Sequence, residues 1–244
     1  MPNRLRIGQV GRWYDDICPE VIGLQSLSSE FVARRIVEVA RSVGAPTKRA
    51  GNCMPNVAIV FSSQPQEQLN YIASNARGYL GYSEHPQELG SFTHTIQAWY
   101  VTGTRSVDSA APVLVDSHLS SCDRDSLNCL FGQAGSLLGS DLRSEFVYVT
   151  VIADAHALFE YRLQAVADYI AMLVLTRTAL DGCNPLPSIV DLLSADCGAR
   201  ARPQGITDAD TAYLRALYSC NLELKVNFEK GEMRSRMLKS IEAP

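Results

Sequence analysis

Apolar positions recur in two rhythms along the 244-residue chain and mark out its elements in turn. Residues 5–13 read as a first strand. Ser28, Ser29 and Glu30 then offer a capping sequence, and Phe31, Val32, Ile36, Val37, Val39, Ala40 and Val43 follow at helical spacing, with Gly44 as the stop. Residues 56–62, carrying Val57-Ala58-Ile59-Val60-Phe61, form a short apolar run bounded by polar residues, the mark of a buried strand. A second helix is expected over 65–80, ending at Gly81, with a polar stretch over 82–91. Strands are expected over 96–105, rich in β-formers, over 112–115, and over 146–152, where Phe146-Val147-Tyr148-Val149-Thr150-Val151-Ile152 is the plainest strand pattern in the chain. Residues 117–140, with Gly132, Gly135 and Gly139, read as irregular.

From 158 to 177 the pattern changes. Leu163, Val166, Ile170, Leu173 and Val174 spread apolar character over so wide an arc that the helix should be buried on most sides. A short helical turn near 189–193, a capped helix over 207–218 and a last helix over 226–238 follow. This order predicts one α+β domain over 1–244: a mixed sheet with a long buried helix in 1–180, and a small helical part in 181–244.

Composition narrows the field of functions. Hydrophobic residues make up 46% and charged residues 20%, the balance of a chain that folds around a core. The 22 basic and 26 acidic side chains leave a net charge of −4, so no basic footprint for nucleic acid is present. No apolar run approaches the roughly 20 residues of a membrane span, and no transmembrane segment is expected.

Seven cysteines, with no CxxC pair, suggest local staples rather than a zinc ribbon. Cys122 and Cys129 enclose a polar turn-like stretch, and Cys183 and Cys197 flank a loop beginning Asn184-Pro185-Leu186-Pro187. Cys18 and Cys53 each border a proline-containing loop. Three bridges would leave Cys220 free. Disulfides imply a periplasmic or secreted protein. The opening Met1-Pro2-Asn3-Arg4-Leu5-Arg6 has no apolar signal core, so that reading requires a removed leader; the cytoplasm is the alternative.

Catalytic constellations are hard to assemble. His85, His94, His118 and His156 include no pair at helical i, i+4 spacing, so a metalloprotease helix is missing. Asp116-Ser117-His118 and Asp154-Ala155-His156 are similar triplets at strand ends, and an acid–base or metal site would need them to meet. Neither GxSxG nor GxxxxGK[ST] occurs; Gly135-Ser136-Leu137-Leu138-Gly139 is one residue too long for a nucleophile elbow. Cys220 has no histidine nearby in sequence. The pairs Trp13-Tyr14 and Trp99-Tyr100 lie on expected strands, where they either pack the sheet or line a groove.

The segment 146–220 resembles a zincin-type metallopeptidase that has lost its metal. Matrixin-like zincins place a helix bearing HExxHxxGLxxH after an edge strand. Laid on that motif, Leu175 matches the leucine and Asp168 stands at the glutamate. Ala167, Ala171 and Thr178 replace the three histidines, and Val174 replaces the glycine. Ser188-Ile189-Val190 resembles the Ser-Ile-Met turn beneath the metal, and residues 206–218, ending Leu217-Tyr218, resemble a terminal helix also found in zincin-like bacterial families of the DUF2927 kind. The resemblance implies a zincin-like fold with no cofactor and no metal, because methyl groups cannot ligate zinc. It implies a non-catalytic binding or structural module of the bacterial envelope for an unknown protein or peptide partner, with a lipoprotein-like or secreted partner subunit as a third possibility. Its contact surface would be the old cleft near Asp168 and Ser188, or Trp99 and Tyr100. The alternative is a hydrolase built on His118, His156, Asp116 and Asp154.

Overall fold

The computed structural model describes residues 10–48, 53–81, 89–106, 113–114, 142–180, 182–198, 202–221 and 226–242. Cys122, Cys129, Asp116, His118, His85 and the glycines at 132, 135 and 139 lie outside these, as do residues 5–9 of the expected first strand.

Five strands form one mixed sheet: β1 (Pro19–Ile22), β2 (Val57–Ser62), β3 (Ile96–Ser106), β4 (Val113–Leu114) and β5 (Leu142–Asp154), in the order β1-β2-β5-β3-β4. β1, β2 and β5 run parallel; β3 is antiparallel to both β5 and β4. The helices are α1 (Ser26–Ser42), α2 (Pro65–Asn75), α3 (Leu163–Leu175), α4 (Asp208–Ser219) and α5 (Val226–Glu242), with short 3-10 turns at Arg77–Leu80 and Ile189–Leu193. This is the expected α+β architecture.

The sheet is covered on both faces. Val149, Val151 and Ala153 of β5, with Val57 and Ile59 of β2, point to the face occupied by α1 and α3. Ile152 joins Trp99, Leu69 and Leu80 on the other, under α2. The two-residue period of a strand divides its side chains between faces in this way. A parallel β2–β5 pair buried on one side and at least half-buried on the other reads as a nearly continuous apolar run, which is why 57–61 and 146–152 stand out in the sequence.

Every residue of α3 from Ala165 to Leu175 is buried. Its all-round burial, with side chains such as Ile170 and Leu173 each contributing about 1.5–3 kcal/mol, makes α3 the axis of the core. α1 packs beside it through Val32, Ile36, Val39 and Ala40.

Several boundaries move. Of the first expected strand, the described part holds only an isolated bridge from Arg12 to Glu145. α1 starts two residues before the capping sequence, at Ser26, and Gln25 precedes it without a side-chain cap. The helix expected over 65–80 stops at Asn75 and continues as a 3-10 turn into Gly81, whose φ of 70° and contact with the Tyr100 carbonyl exclude a side chain. The helix expected over 158–177 occupies only Leu163–Leu175, since Leu158–Tyr161 forms turns. The Cys18-Pro19 loop opens an unforeseen edge strand, β1; proline is tolerated there as a first residue. The strand before the buried helix is central, not an edge as in the zincin pattern.

Among the described residues two disulfides, Cys18–Cys53 and Cys183–Cys197, are formed, and Cys220 is free and buried. No helix among the described residues is long and apolar enough to cross a membrane.

Candidate functional site

The helical part of the chain is assembled around two interlocked caps. Ser188 caps the 3-10 turn Ile189–Leu193, its hydroxyl accepting from Val190 N, while Asp191 reaches back to Ser188 N. Thr207 caps α4 in the same manner, with Asp210 as its partner. This reciprocal pairing of side chain and backbone satisfies amides that would otherwise be orphaned at a helix start. The two boxes are joined: Ser188 Oγ donates to Asp210 Oδ1 at 2.5 Å and Ile189 N donates to Asp210 Oδ2 at 2.8 Å. Thr207 Oγ1 donates to the Pro187 carbonyl at 2.8 Å.

Above this junction lies a cavity of about 310 Å³. Its walls come from four parts of the chain: Met172 of α3 with Thr178 just beyond it, the loop Asn184, Pro185, Leu186 and Ser188, the first turns of α4 through Ala209, Asp210 and Tyr213, and Met237 of α5. Ala209, Asp210 and Tyr213 share a helix face because three and four residues span about one turn. The Cys183–Cys197 bridge closes the segment that carries the loop wall. Asn184 Nδ2 and Asn184 N both donate to Asp191 Oδ1, holding that wall against the 3-10 turn. Tyr213 hydroxyl meets Thr176 Oγ1 at 3.3 Å, and burial raises its phenol above the usual value.

The expected site residues scatter around this cavity. Ser188 lines it, as does Thr178 at the third of the zincin histidine positions. Ala167 and Ala171, at the other two, are inside the core. Asp168 is not part of it. The carboxylate is fully buried, accepts from Arg35 Nε at 2.6 Å and Nη2 at 3.1 Å on α1, and takes Ile206 N at 3.0 Å. A cleft shared by Asp168 and Ser188 is therefore not formed.

Trp99 and Tyr100 do not make a groove either, because adjacent strand positions face opposite ways. Trp99 packs under α2 and donates to the Leu89 carbonyl at 3.1 Å; Tyr100 packs toward α3 and donates to the Leu173 carbonyl at 2.9 Å. Trp13 is likewise core, donating to the Val174 carbonyl at 2.7 Å.

His156 is exposed on the turn after β5. Asp154 accepts from the backbone amides of His156 and Ala157 at 2.9 and 3.1 Å, so it caps the turn rather than orienting the imidazole. Among the described residues one group has metal-ligand character, Cys183, Cys197 and Asp191. Its two sulfurs are bonded to each other, and the carboxylate is engaged by Asn184 and Ser188.

Sequence reasoning missed the walls contributed by Met172, Tyr213 and Met237. No local signal places a helix end, a loop and two further helices around one space. It also missed a buried polar cluster joining the two ends of the chain. Arg12 pairs with Glu229 of α5 and reaches the Leu217 carbonyl and, at 3.1 Å, Cys220 Sγ. Burial raises Glu229, Glu145 and Cys220 above their usual values, against the opposing pull of Arg12 or Arg105.

Comparison of the chain with protein-family models, with curated proteins and with solved structures gives no match.

Proposed function

We propose that this protein is a non-catalytic binding module of zincin-like ancestry, working in an oxidising compartment such as the bacterial envelope, and that it binds its ligand in the cavity between α3, α4, α5 and the 184–188 loop. The observation that carries this reading is the chemistry of the cavity wall. It offers apolar surface and a few polar atoms, the mixture that binding pockets present. Asp210 is the one carboxylate among the described lining residues, and Ser188, Ile189 and Thr207 all donate to it. A general base needs a lone pair aimed at the reacting proton, and here the carboxylate oxygens are turned to capping.

Support for the zincin-like scaffold is narrower: β5 leads into α3, and the Ser188 turn and α4 follow in the expected order. The central position of β5 and the burial of α3 on all sides depart from the pattern. The two disulfides support an oxidising compartment.

The reading is tested by a fragment screen watched through methyl-labelled methionines. Fragments that bind should shift the Met172 and Met237 methyl signals together. Purified protein should carry no stoichiometric zinc and cleave no peptide pool. Zinc-dependent hydrolysis abolished by His156→Ala would replace this reading with the hydrolase alternative.

A further inference from the structure

Resting on the cavity reading above, we infer that the ligand is an uncharged, mostly apolar small molecule of about a dozen non-hydrogen atoms with one hydrogen-bonding end. Size gives the first constraint. An apolar cavity of about 150 Å³ holds one benzene molecule, and this one measures about 310 Å³. It therefore suits a chain of ten or so carbons, or two joined rings.

Charge gives the second. No lysine, arginine or histidine is among the described lining residues. An anion would lose its hydration without gaining a counter-charge, and it would face Asp210. Such transfers are strongly unfavourable. A cation would find Asp210, but that carboxylate sits in the first turn of α4, where the helix end already favours negative charge. It also already accepts from the Ser188 hydroxyl and two backbone amides. The wall also carries the neutral hydroxyls of Thr178 and Tyr213, each with one long protein partner, Ala179 O at 3.4 Å and Thr176 Oγ1 at 3.3 Å, and a hydroxyl's further donor or acceptor capacity suits an alcohol, a phenol or an amide.

Two features of the wall fit entry of an apolar guest. Met172 and Met237 stand among the walls, and methionine's unbranched, polarisable side chain adapts to irregular shapes. α5 supplies Met237 but packs in a cluster of its own, with Met233 against Ala216, Leu217 and Cys220, apart from the main core.

One chain with three head groups provides the test. Titrations of the full-length protein with 1-decanol, decanoate and decylammonium at pH 7.5, followed by displacement of neutral N-phenyl-1-naphthylamine and by the Met172 and Met237 methyl signals, should rank decanol first by at least tenfold. Ala209→Trp, which fills the space, should weaken decanol at least tenfold. Leu186→Asp, at an exposed rim position where folding is not at stake, should weaken it at least fivefold. Decanoate or decylammonium binding as tightly as decanol, with both methyls shifting, overturns the inference while the cavity remains a binding site. No methyl shift with any of the three, or with any fragment of the screen, overturns inference and binding reading together.

Discussion

Arg35 of α1 and Asp168 of α3 are joined by a two-pronged ion pair: Nε donates to Oδ1 at 2.6 Å and Nη2 to Oδ2 at 3.1 Å. Asp168 is wholly buried, while a quarter of the Arg35 side chain stays in contact with solvent. The pair ties the two helices that cover one face of the sheet. Asp168 also holds the chain entering α4 through Ile206 N. Geometry of this kind, with parallel N–H···O bonds, is the strong form of the interaction, and it raises the Arg35 guanidinium further. Removing one partner of a largely buried pair leaves the other without compensation, at a cost of about 3–5 kcal/mol. Arg35→Ala, which strands the wholly buried Asp168 carboxylate, should therefore lower stability by an amount in that range in urea unfolding, yet leave decanol affinity within twofold. A selective loss of binding with unchanged stability would instead place the pair in a ligand site.

A second buried pair, Arg12 with Glu229, fastens α5 to the amino-terminal segment, and Val10 N adds a bond to Glu229 at 3.0 Å. α5 has little apolar surface committed to the main core, so this clasp is the principal polar restraint on it. Arg12→Met alone should cost about 3–5 kcal/mol, because the buried Glu229 carboxylate loses its counter-charge. The double variant Arg12→Met, Glu229→Leu should recover most of that loss, since an apolar pair of similar volume needs no compensation. Hydrogen exchange in α5 should rise in the single variant and return in the double. If the single and double variants are equally unstable, packing rather than charge holds the helix.

The same groups set a pH dependence. Burial is the main reason Glu229 and Glu145 bind protons more tightly when folded than their usual value near 4.5 allows. Between that value and their raised folded values, the folded state holds more protons than the unfolded chain. Stability therefore falls as pH rises through this window. The contribution is fully present below the unfolded value and lost above the folded one. Urea midpoints measured from pH 4.5 upward should show the decline, and Glu145→Gln should flatten part of it. A wild-type midpoint that climbs steadily across this window would reverse the sign argued here.

Much of the scaffold was legible from periodicity because its elements are locally consistent. β5 is buried on both faces over 149–153 and β2 is buried on one face and half-buried on the other, so their apolar runs are continuous. Thr207 and Asp210 spell a capping box in the sequence itself. What escaped detection was decided over distance. Arg12 meets Glu229 from the far end of the chain, and nothing near either residue announces the other. From the sequence Trp99 and Tyr100 either pack the sheet or line a groove; the sheet divides them between its two faces. Asp168 stood at the position of a catalytic glutamate by alignment, but α1 supplies an arginine that turns it into a structural anion. Ser188 was legible as a turn; that its hydroxyl would meet Asp210 depended on where α4 comes to rest.

The disulfides allow a prediction that joins stability to the binding site. Cys18–Cys53 fastens the start of edge strand β1 to the chain just before β2, across a separation of 35 residues, and Cys183–Cys197 closes the cavity-lining loop across 14. Loop-closure entropy gives about 4 kcal/mol for the longer and about 3 kcal/mol for the shorter. Cys18→Ser with Cys53→Ser should accordingly lower stability the more, while leaving decanol affinity nearly unchanged, because that bridge lies outside the cavity. Cys183→Ser with Cys197→Ser should lower stability somewhat less, yet weaken decanol severalfold, because Asn184, Pro185 and Leu186 lose their tether. Cys220 serves as an internal control. It is buried, and desolvation raises its thiol above the usual value, so a thiol reagent should miss it in the native state and find it after denaturation. If the Cys122–Cys129 bridge expected from the sequence forms, denatured, unreduced protein should show one reactive thiol; a count of seven would remove the case for an oxidising compartment.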